Sequence, residues 1–365
     1  MQLFRVLCLF FLGLLAIAPL GGPAGADSAA GELVGVHIAS HPTGSDAAAD
    51  DTPERVTAEV GVTLYAVLEA RQGRQRILYS DAPVVKIRGR VWRTRPMKAA
   101  PAAALRWYKV EPAVDTMSNE ASGSFRFESI EYREVAVSRW ADQSQLAAEV
   151  RPTLTPYRGD EYDRRSDPES GIGTMRYKLV ARAGATTVAT AGIEARRGRG
   201  SGGLSDRVHR VSLRRDNSFL GYMTEMYGQP YIWASGGVSP GKHQSERLEG
   251  SDCADLMVYG MRRMGRKIPY VWTGELGKYA RRLSKGTVRD DGVYVDAKGA
   301  PIRFPRVGDL VLFPRHVGAL VADRGVRGVL DQADIMMHTL FASPREQAIG
   351  ATAYGEMPIE VLRWK

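Results

Sequence analysis

The sequence predicts a two-domain protein in which an antiparallel β-sandwich precedes an α+β domain. Its 365 residues suffice for two globular units at about 150 residues per domain. Apolar and polar residues alternate, as in strands, over much of the chain before residue 195, and apolar residues recur at helical spacing after residue 215. Hydrophobic residues make up 44% of the chain and charged residues 25%, which excludes a disordered or collagen-like protein.

Residues 1–26 have the features of a secretory signal peptide. Arg5 precedes an apolar run from Val6 to Leu20, and small residues follow up to Ala26. We therefore expect cleavage after Ala26 and an exported protein, either periplasmic or secreted. The alternative is an uncleaved anchor helix, but the run is shorter than the ~20 residues that a spanning helix needs. Stable membrane insertion is therefore not expected.

Residues 27–194 predict the first domain, an immunoglobulin-like β-sandwich. Between Val56 and Leu68, apolar residues alternate with Thr57, Glu59 and Thr63, which is the period of a half-buried strand. Further segments of this kind follow, separated by clusters of Gly, Pro, Asp and Ser, as is typical of an antiparallel sandwich. No spacing in this domain indicates catalysis, so its expected role is that of an accessory domain.

Residues 195–215 predict a basic, flexible linker between the two domains, because glycine, serine and arginine dominate the segment. The net charge of the chain is +9, which favours anionic partners. The linker is therefore a candidate for binding anionic wall polymers or lipid headgroups, and the alternative is a solvated connection without a ligand. Nucleic acid is not expected, since export and the absence of zinc-finger spacing argue against it.

Residues 216–365 predict the second domain. Asp216 is a candidate cap for a first helix, and a second helix is predicted from Ala254 to Gly265. The segments that follow have the pattern of strands, with the last one near Ile359 to Trp364. Helices followed by an antiparallel sheet are an α+β arrangement.

Cys253 is the only cysteine that remains once the signal peptide is removed. It lies at the start of the second predicted helix, where the helix dipole favours a thiolate by about 0.3 to 1 kcal/mol. Lowering the pKa of a thiol from about 8.5 to below 7 takes about 2 kcal/mol, so we expect an imidazolium to contribute. The alternative interpretation of Cys253 is a small, buried hydrophobic residue.

Two histidines lie on predicted strands of the second domain. If those strands pair as neighbours, His316 and His338 lie opposite each other, about 5 Å apart between their Cβ atoms. This arrangement predicts a general base, His316, held by an orienting group, His338. Asp331, Gln332 and Asp334 are alternative orienting groups. The chain has no Cys-x-x-Cys or His-Glu-x-x-His motif, so neither a metal site nor another cofactor is expected.

Three strings in residues 216–345 resemble the NlpC-type cell-wall cysteine peptidases, namely YGQPYIW, SDCADLMVYGMRRMG and RVGDLVLFPRHVGALV. They occur in the order of the Pro-Tyr-x-Trp, Asp-Cys, Pro-Gly-Asp-Leu and His-Val-Gly motifs of that family. The resemblance implies a papain-like fold. It also implies Cys253 as the nucleophile, His316 as the general base and His338 as the third residue of the triad.

The same motifs imply further site residues and a substrate class. Tyr231 and the backbone amide of Cys253 are expected to stabilise the oxyanion, with Asp252 and Trp233 in the substrate-binding site. Members of the family hydrolyse peptide bonds in peptidoglycan, so the expected function is an exported cysteine peptidase or amidase that acts on stem peptides. The alternatives are a non-catalytic cell-wall-binding or scaffolding protein and an acyltransferase of the same fold. Ala254 and Asp255 replace the usual Ser-Gly of the family, so a changed pocket is expected.

Overall fold

The computed structural model describes residues 31–112, 131–153, 171–197, 203–233 and 243–365. The predicted signal peptide, residues 1–26, lies outside the described residues. In the described part of the chain, no helix has the length and apolar character needed to cross a membrane.

The predicted fold class, an α+β papain-like domain behind an immunoglobulin-like sandwich, is wrong. The described residues are mostly β, with 43% strand and 12% helix, and their strands form three sheets, two of them barrel-like. Over the described ranges only two segments form α-helices, α1 (Phe219–Met223) and α2 (Cys253–Arg263). Both helices are short. Gly228 and Gly265, which follow them, have φ angles of 74° and 85°, and this left-handed conformation does not continue an α-helix. Strands form most of the remaining regular structure.

The strands before residue 215 form the first two sheets. They are β1 (Glu32–Pro42), β2 (Ala49–Asp50), β3 (Glu54–Thr57), β4 (Val62–Gln72), β5 (Gln75–Tyr79), β6 (Val84–Ile87), β7 (Arg90–Arg93), β8 (Ala104–Pro112), β9 (Tyr132–Ala136), β10 (Gln145–Ala147), β11 (Gly173–Ala183), β12 (Thr186–Ala189) and β13 (His209–Arg214). The first sheet has the order β10-β4-β1-β2-β6-β7, with β5 beside β4. The second has the order β3-β13-β11-β8-β9, with β12 beside β11.

One hydrophobic core contains residues from both of these sheets. Trp107 on β8 and Tyr177 on β11 are fully buried in it. Their polar atoms are satisfied, because Trp107 Nε1 donates to the Gln143 carbonyl and the Tyr177 hydroxyl donates to the Glu149 carbonyl, both at 2.8 Å. The two sheets are therefore one packed unit, which we call the first unit (residues 31–214).

The segment predicted as a flexible linker, residues 195–215, contains strand β13. This strand pairs antiparallel with β11 and parallel with β3. Val211 and Leu213 belong to the core of the first unit, whereas Arg210 and Arg214 alternate with them and bond to residues beyond 215. Alternation on a strand places successive side chains on opposite faces. In the described part of the segment, its arginines thus join two folded units.

The third sheet forms the second unit (residues 216–365) together with the two α-helices. Its strands are β14 (Ala280–Val288), β15 (Tyr294–Val295), β16 (Leu310–Leu312), β17 (Val317–Ala322), β18 (Ile335–His338), β19 (Arg345–Ala348) and β20 (Ile359–Trp364). The order is β15-β14-β20-β16-β17-β18-β19, with antiparallel pairs throughout. Helix α2 packs on this sheet through Leu256 and Met257, which share a core with Val317 and Met337. The start of α2 is thereby placed beside β17.

Candidate active site

Cys253 is the first residue of α2, and Asp252 caps that helix. The Asp252 side chain accepts a hydrogen bond from the Asp255 amide at 2.9 Å, which satisfies one of the unpaired amides of the first turn. The structure thus gives Asp252, which was expected in the substrate-binding site, a helix-capping contact. Cys253 itself is 6% exposed.

Burial keeps the Cys253 thiol protonated. The backbone amides of Val317 and Ala254 hydrogen-bond its sulfur and lower the pKa of the thiol, but burial and the carboxylate of Asp252 raise that pKa far more. The expected thiolate is therefore not favoured in the free protein, because desolvation outweighs the roughly 0.3 to 1 kcal/mol that a helix N-terminus contributes. Val317 directly follows His316, so the thiol lies beside the strand that follows this histidine.

His316 and His338 meet at the start of β17 and the end of β18. His316 Nε2 lies 3.0 Å from His338 Nδ1, and His338 Nε2 lies 3.0 Å from Gln347 Oε1. Gln347, on β19, donates from its Nε2 to the Ala351 carbonyl at 2.9 Å. The side chains of His316, His338 and Gln347 therefore form a continuous chain of hydrogen bonds that ends on the backbone.

This chain of hydrogen bonds fixes the proton positions on both rings. Since Gln347 uses its amide nitrogen for the Ala351 carbonyl, its Oε1 accepts a hydrogen bond from the N–H at His338 Nε2. His338 Nδ1 then carries a lone pair and accepts a hydrogen bond from the N–H at His316 Nε2. His316 Nδ1 is left unprotonated, and this buried nitrogen has no hydrogen-bond partner among the described residues. A neutral imidazole with such a nitrogen has the form of a general base before it accepts a proton.

Aromatic rings hold the His316 imidazole in this orientation. Tyr354 stacks on it with ring centroids 4.9 Å apart, Phe313 packs at 6.0 Å, and His338 meets it edge-on at 5.0 Å. Burial lowers the pKa of His316 to about 2 and the pKa of His338 to about 4. Both rings are therefore neutral at pH 7 in the free protein, and so is the thiol.

The alternative orienting groups lie in the connection between β17 and β18 and bond elsewhere. Asp331 accepts hydrogen bonds from the amides of Val326 and Ala333, and Asp334 accepts from the amides of Arg324 and Asp331. These carboxylates fix the connection itself. Of the candidates, the structure brings His338 into hydrogen-bonding contact with His316.

Tyr231 lies beside Cys253, whereas Trp233 is at the surface. Burial raises the pKa of the Tyr231 hydroxyl, and the neighbouring Cys253 sulfur raises it further. The backbone of Tyr231 forms a parallel bridge with Ser251, two residues before the cysteine. Its ring packs against Phe341 with centroids 5.2 Å apart. Trp233 is 53% exposed.

Two site residues have no counterpart in the sequence-based prediction, Gln347 and Tyr354. Gln347 is one of three polar residues on the short strand β19, and Tyr354 lies in the turn before β20. Neither has a spacing that relates it to Cys253 or His316, so pattern reasoning offers no signal for them. Their contribution depends on the pairing of β18 with β19 and on the path of the chain after β19.

No group of three or more His, Cys, Asp or Glu side chains in the described ranges is arranged to hold a metal ion. Comparison of the chain with protein-family models, with curated proteins and with solved structures finds no match. The chemistry of the site and its sequence motifs are therefore the basis for inferring what the protein does.

Proposed function

We propose that this protein is an exported cysteine peptidase or amidase that hydrolyses peptide bonds of peptidoglycan stem peptides. The observation that carries the proposal is the unprotonated, unpartnered Nδ1 of His316, next in the chain to the amide that bonds the Cys253 sulfur. A buried thiol and a buried basic imidazole nitrogen, on two elements that pack against each other, are the parts that nucleophilic catalysis requires. The substrate class is taken from the resemblance of the motifs around Tyr231, Cys253 and His316 to those of the NlpC-type cell-wall cysteine peptidases.

The first step is attack of the Cys253 sulfur on the amide carbonyl. Because the thiol and His316 are both neutral beforehand, the thiol proton moves to His316 Nδ1 as the carbon–sulfur bond forms. The resulting imidazolium still donates a hydrogen bond from its Nε2–H to His338 Nδ1. The Cys253 backbone amide, at the start of α2, and the Tyr231 hydroxyl are the donors assigned to the oxyanion.

The second half of the reaction returns the site to its starting state. His316 gives the Nδ1 proton to the leaving amine as the carbon–nitrogen bond breaks, which leaves a thioester on Cys253. Water then attacks the thioester while His316 accepts one of its protons. The carboxylic acid product leaves and the sulfur regains its proton.

Digestion of purified peptidoglycan tests this proposal. We expect the wild-type protein to release stem-peptide fragments that mass spectrometry identifies, and Cys253→Ala to release them at least about 1,000-fold more slowly. Arg133→Gln, an exposed change on the first unit, serves as the control and should leave the yield unchanged.

Three outcomes would contradict the hydrolase. Equal yields of fragments from wild type and Cys253→Ala would exclude the thiol as the nucleophile. Binding of peptidoglycan without any cleavage would support the scaffolding alternative. Ligated products on addition of an acceptor amine would indicate acyl transfer to the amine in place of hydrolysis.

A further inference from the structure

We propose that the first unit positions the loop that leads into Cys253, so that the catalytic rate depends on contacts from this unit. This inference depends on the proposed function for its kinetic consequences. We call residues 243–252, which immediately precede α2, the Cys253 loop. Arginines of the first unit donate hydrogen bonds to successive backbone carbonyls of this loop.

The most buried of these arginines is Arg176 on β11, which is 2% exposed. Its Nη2 lies 2.8 Å from the Leu248 carbonyl oxygen and 3.3 Å from that of Arg247. Its Nη1 lies 3.2 Å from Gln229 Oε1. One guanidinium thus fixes both the Cys253 loop and the segment that leads to Tyr231.

Two further arginines extend this contact along the loop. Arg210 Nη1, on β13, donates to the Arg247 carbonyl at 2.6 Å. Arg55 Nη2, on β3, donates to the Glu246 carbonyl at 2.9 Å. Three strands of one sheet therefore supply donors to three consecutive carbonyls of the loop. Donors held on a rigid sheet define the position of a backbone better than mobile surface groups do.

The loop carries a side-chain contact of the same kind. Glu249 is completely buried, and Arg197 of the first unit donates from its Nε to Glu249 Oε1 at 3.2 Å. A buried carboxylate requires such a partner, since isolated burial of a charge is strongly unfavourable. The Arg197 guanidinium of the first unit therefore offsets the unfavourable burial of the Glu249 carboxylate.

The conformation of the loop shows why external support is needed. Leu248 has a φ of 55°, in the left-handed region that costs a non-glycine residue about 1 kcal/mol or more. Gly250 has a φ of 149°, and a Cβ there would lie 2.5 Å from the Pro230 carbonyl oxygen. The Arg176 hydrogen bond ends on the carbonyl of the strained residue itself. Contacts from the first unit thus hold a backbone that is unfavourable on its own.

Helix α2 is held from the same side. Glu225 is fully buried and lies 2.9 Å from Arg263 of α2, 3.5 Å from Arg214 and 4.0 Å from Arg55. The last two arginines belong to the first unit. Both the loop before Cys253 and the helix that begins with it are therefore fixed by the two-sheet unit.

The variants Arg176→Lys and Arg210→Lys test this inference with the full chain. A lysine keeps the positive charge but lacks the planar fork that reaches several acceptors. We expect kcat for stem-peptide cleavage to fall about 10-fold or more in Arg176→Lys and by less in Arg210→Lys, with KM within about twofold of wild type. Amide hydrogen exchange in residues 243–252 should become at least about 10-fold faster in Arg176→Lys.

Arg363→Lys is the matched control. Arg363 makes two hydrogen bonds to Asp309, at 2.8 and 2.6 Å, and both residues belong to the second unit. Its replacement should lower the melting temperature without changing kcat or the hydrogen exchange of the Cys253 loop. A merely structural role for Arg176 would produce the same pattern as this control.

The outcomes separate this inference from the proposed function. Unchanged kcat and unchanged exchange of the loop in folded Arg176→Lys overturn the positioning role, even if Cys253→Ala is inactive. Activity that survives in Cys253→Ala overturns the proposed function, while the exchange measurement still decides the positioning role. If Arg176→Lys does not fold, Arg210→Lys, which loses one hydrogen bond, decides by the same two measurements.

Discussion

Two buried polar clusters contact α2, one at its first residue, Cys253, and one at its last residue, Arg263, and they accommodate burial in opposite ways. The interface cluster consists of Glu225 with Arg55, Arg214 and Arg263, and its charges are paired at 2.9 to 4.0 Å. The catalytic cluster consists of Cys253, His316, His338 and Gln347. Its side chains form a series of hydrogen bonds that runs from His316 through His338 to Gln347 and ends on the Ala351 carbonyl.

The difference shows what each cluster can do. Charges that are buried permanently need opposite charges nearby, since desolvation otherwise makes them strongly unfavourable. Such a cluster holds two units together but has no free site for a proton. The catalytic cluster is neutral at rest, with one basic nitrogen unpartnered, so it can accept a proton for the time that the reaction needs it.

The largest effect should come from removing the base of the catalytic cluster. His316→Asn leaves no nitrogen to take the thiol proton, and we expect kcat/KM for stem peptides to fall by about 100- to 10,000-fold. His37→Gln, on the first unit, is the control and should retain full activity, since His37 bonds to Glu69 far from the thiol. More than a tenth of wild-type activity in His316→Asn would rule out His316 as the base.

Disrupting the interface cluster should lower the stability of the fold and not only the catalytic rate. Glu225→Ala leaves the three arginine charges without the carboxylate that they share. We therefore expect the free energy of unfolding, measured in urea, to fall by about 3 to 5 kcal/mol. Glu360→Ala is the control, because its partners Arg282 and Lys285 are exposed and such pairs contribute less than about 1 kcal/mol. Equal losses in the two variants would contradict the distinction between buried and exposed pairs.

Acid should destabilise the protein through its buried neutral histidines. Burial lowers the pKa of His209 and of His338 to about 4, below the 6.5 of an unfolded chain. Their contribution to stability is therefore complete above pH 6.5 and is lost as the pH falls through 4, by about 3 kcal/mol for each histidine. Glu249, whose pKa burial raises to about 7, acts in the opposite direction, and Asp334, raised to about 6, does so as well.

Melting temperatures measured from pH 7 to pH 4 check this expectation. The protein should melt at lower temperature at pH 4 than at pH 7, because His316 and His243 also carry lowered pKa values, of about 2 and about 3. His209→Gln should make the decrease smaller. A melting temperature that does not change over this range would contradict the assignment of neutral, buried imidazoles.

The smallest effect should come from the end of the hydrogen-bonded chain. Gln347→Leu leaves His338 Nε2 without its acceptor, so the proton positions of both rings are no longer fixed, and we expect kcat to fall about 10-fold. Gln143→Leu is the control, because Gln143 is exposed on the first unit and donates to the Arg139 carbonyl. If both variants are fully active, the chain does not orient His316.

Some features of the site can be predicted from the sequence because they depend on neighbours in the chain. Asp252 before Cys253 is a local capping pattern, and it marks the start of α2. The alternation around His316 and His338 identifies two strands, and the connection between them suggests that they pair. Gln347 and Tyr354 escape prediction, since only the pairing of β18 with β19 and the path after β19 bring them to the histidines.

The fold class and the role of residues 195–215 escape prediction for another reason. Helical periodicity after residue 215 predicts helices, but it does not predict that α1 ends at Met223 or that a seven-stranded sheet dominates the unit. Glycine, serine and arginine indicate a solvated linker only if no partner surface exists. Here Arg210 and Arg214 have such a surface, formed by residues of the second unit.

The sequence by itself determined which side chains are able to do chemistry, because a single thiol at a helix start and two histidines on strands are properties of residue type and local spacing. Only the tertiary structure decided their protonation states and their support. Burial makes Cys253 and His316 neutral, hydrogen bonds leave His316 Nδ1 without a proton, and arginines of the first unit hold the Cys253 loop. All of these effects come from groups distant in sequence. Desolvation and long-range hydrogen bonding depend on what surrounds a residue in space, and local spacing does not encode that.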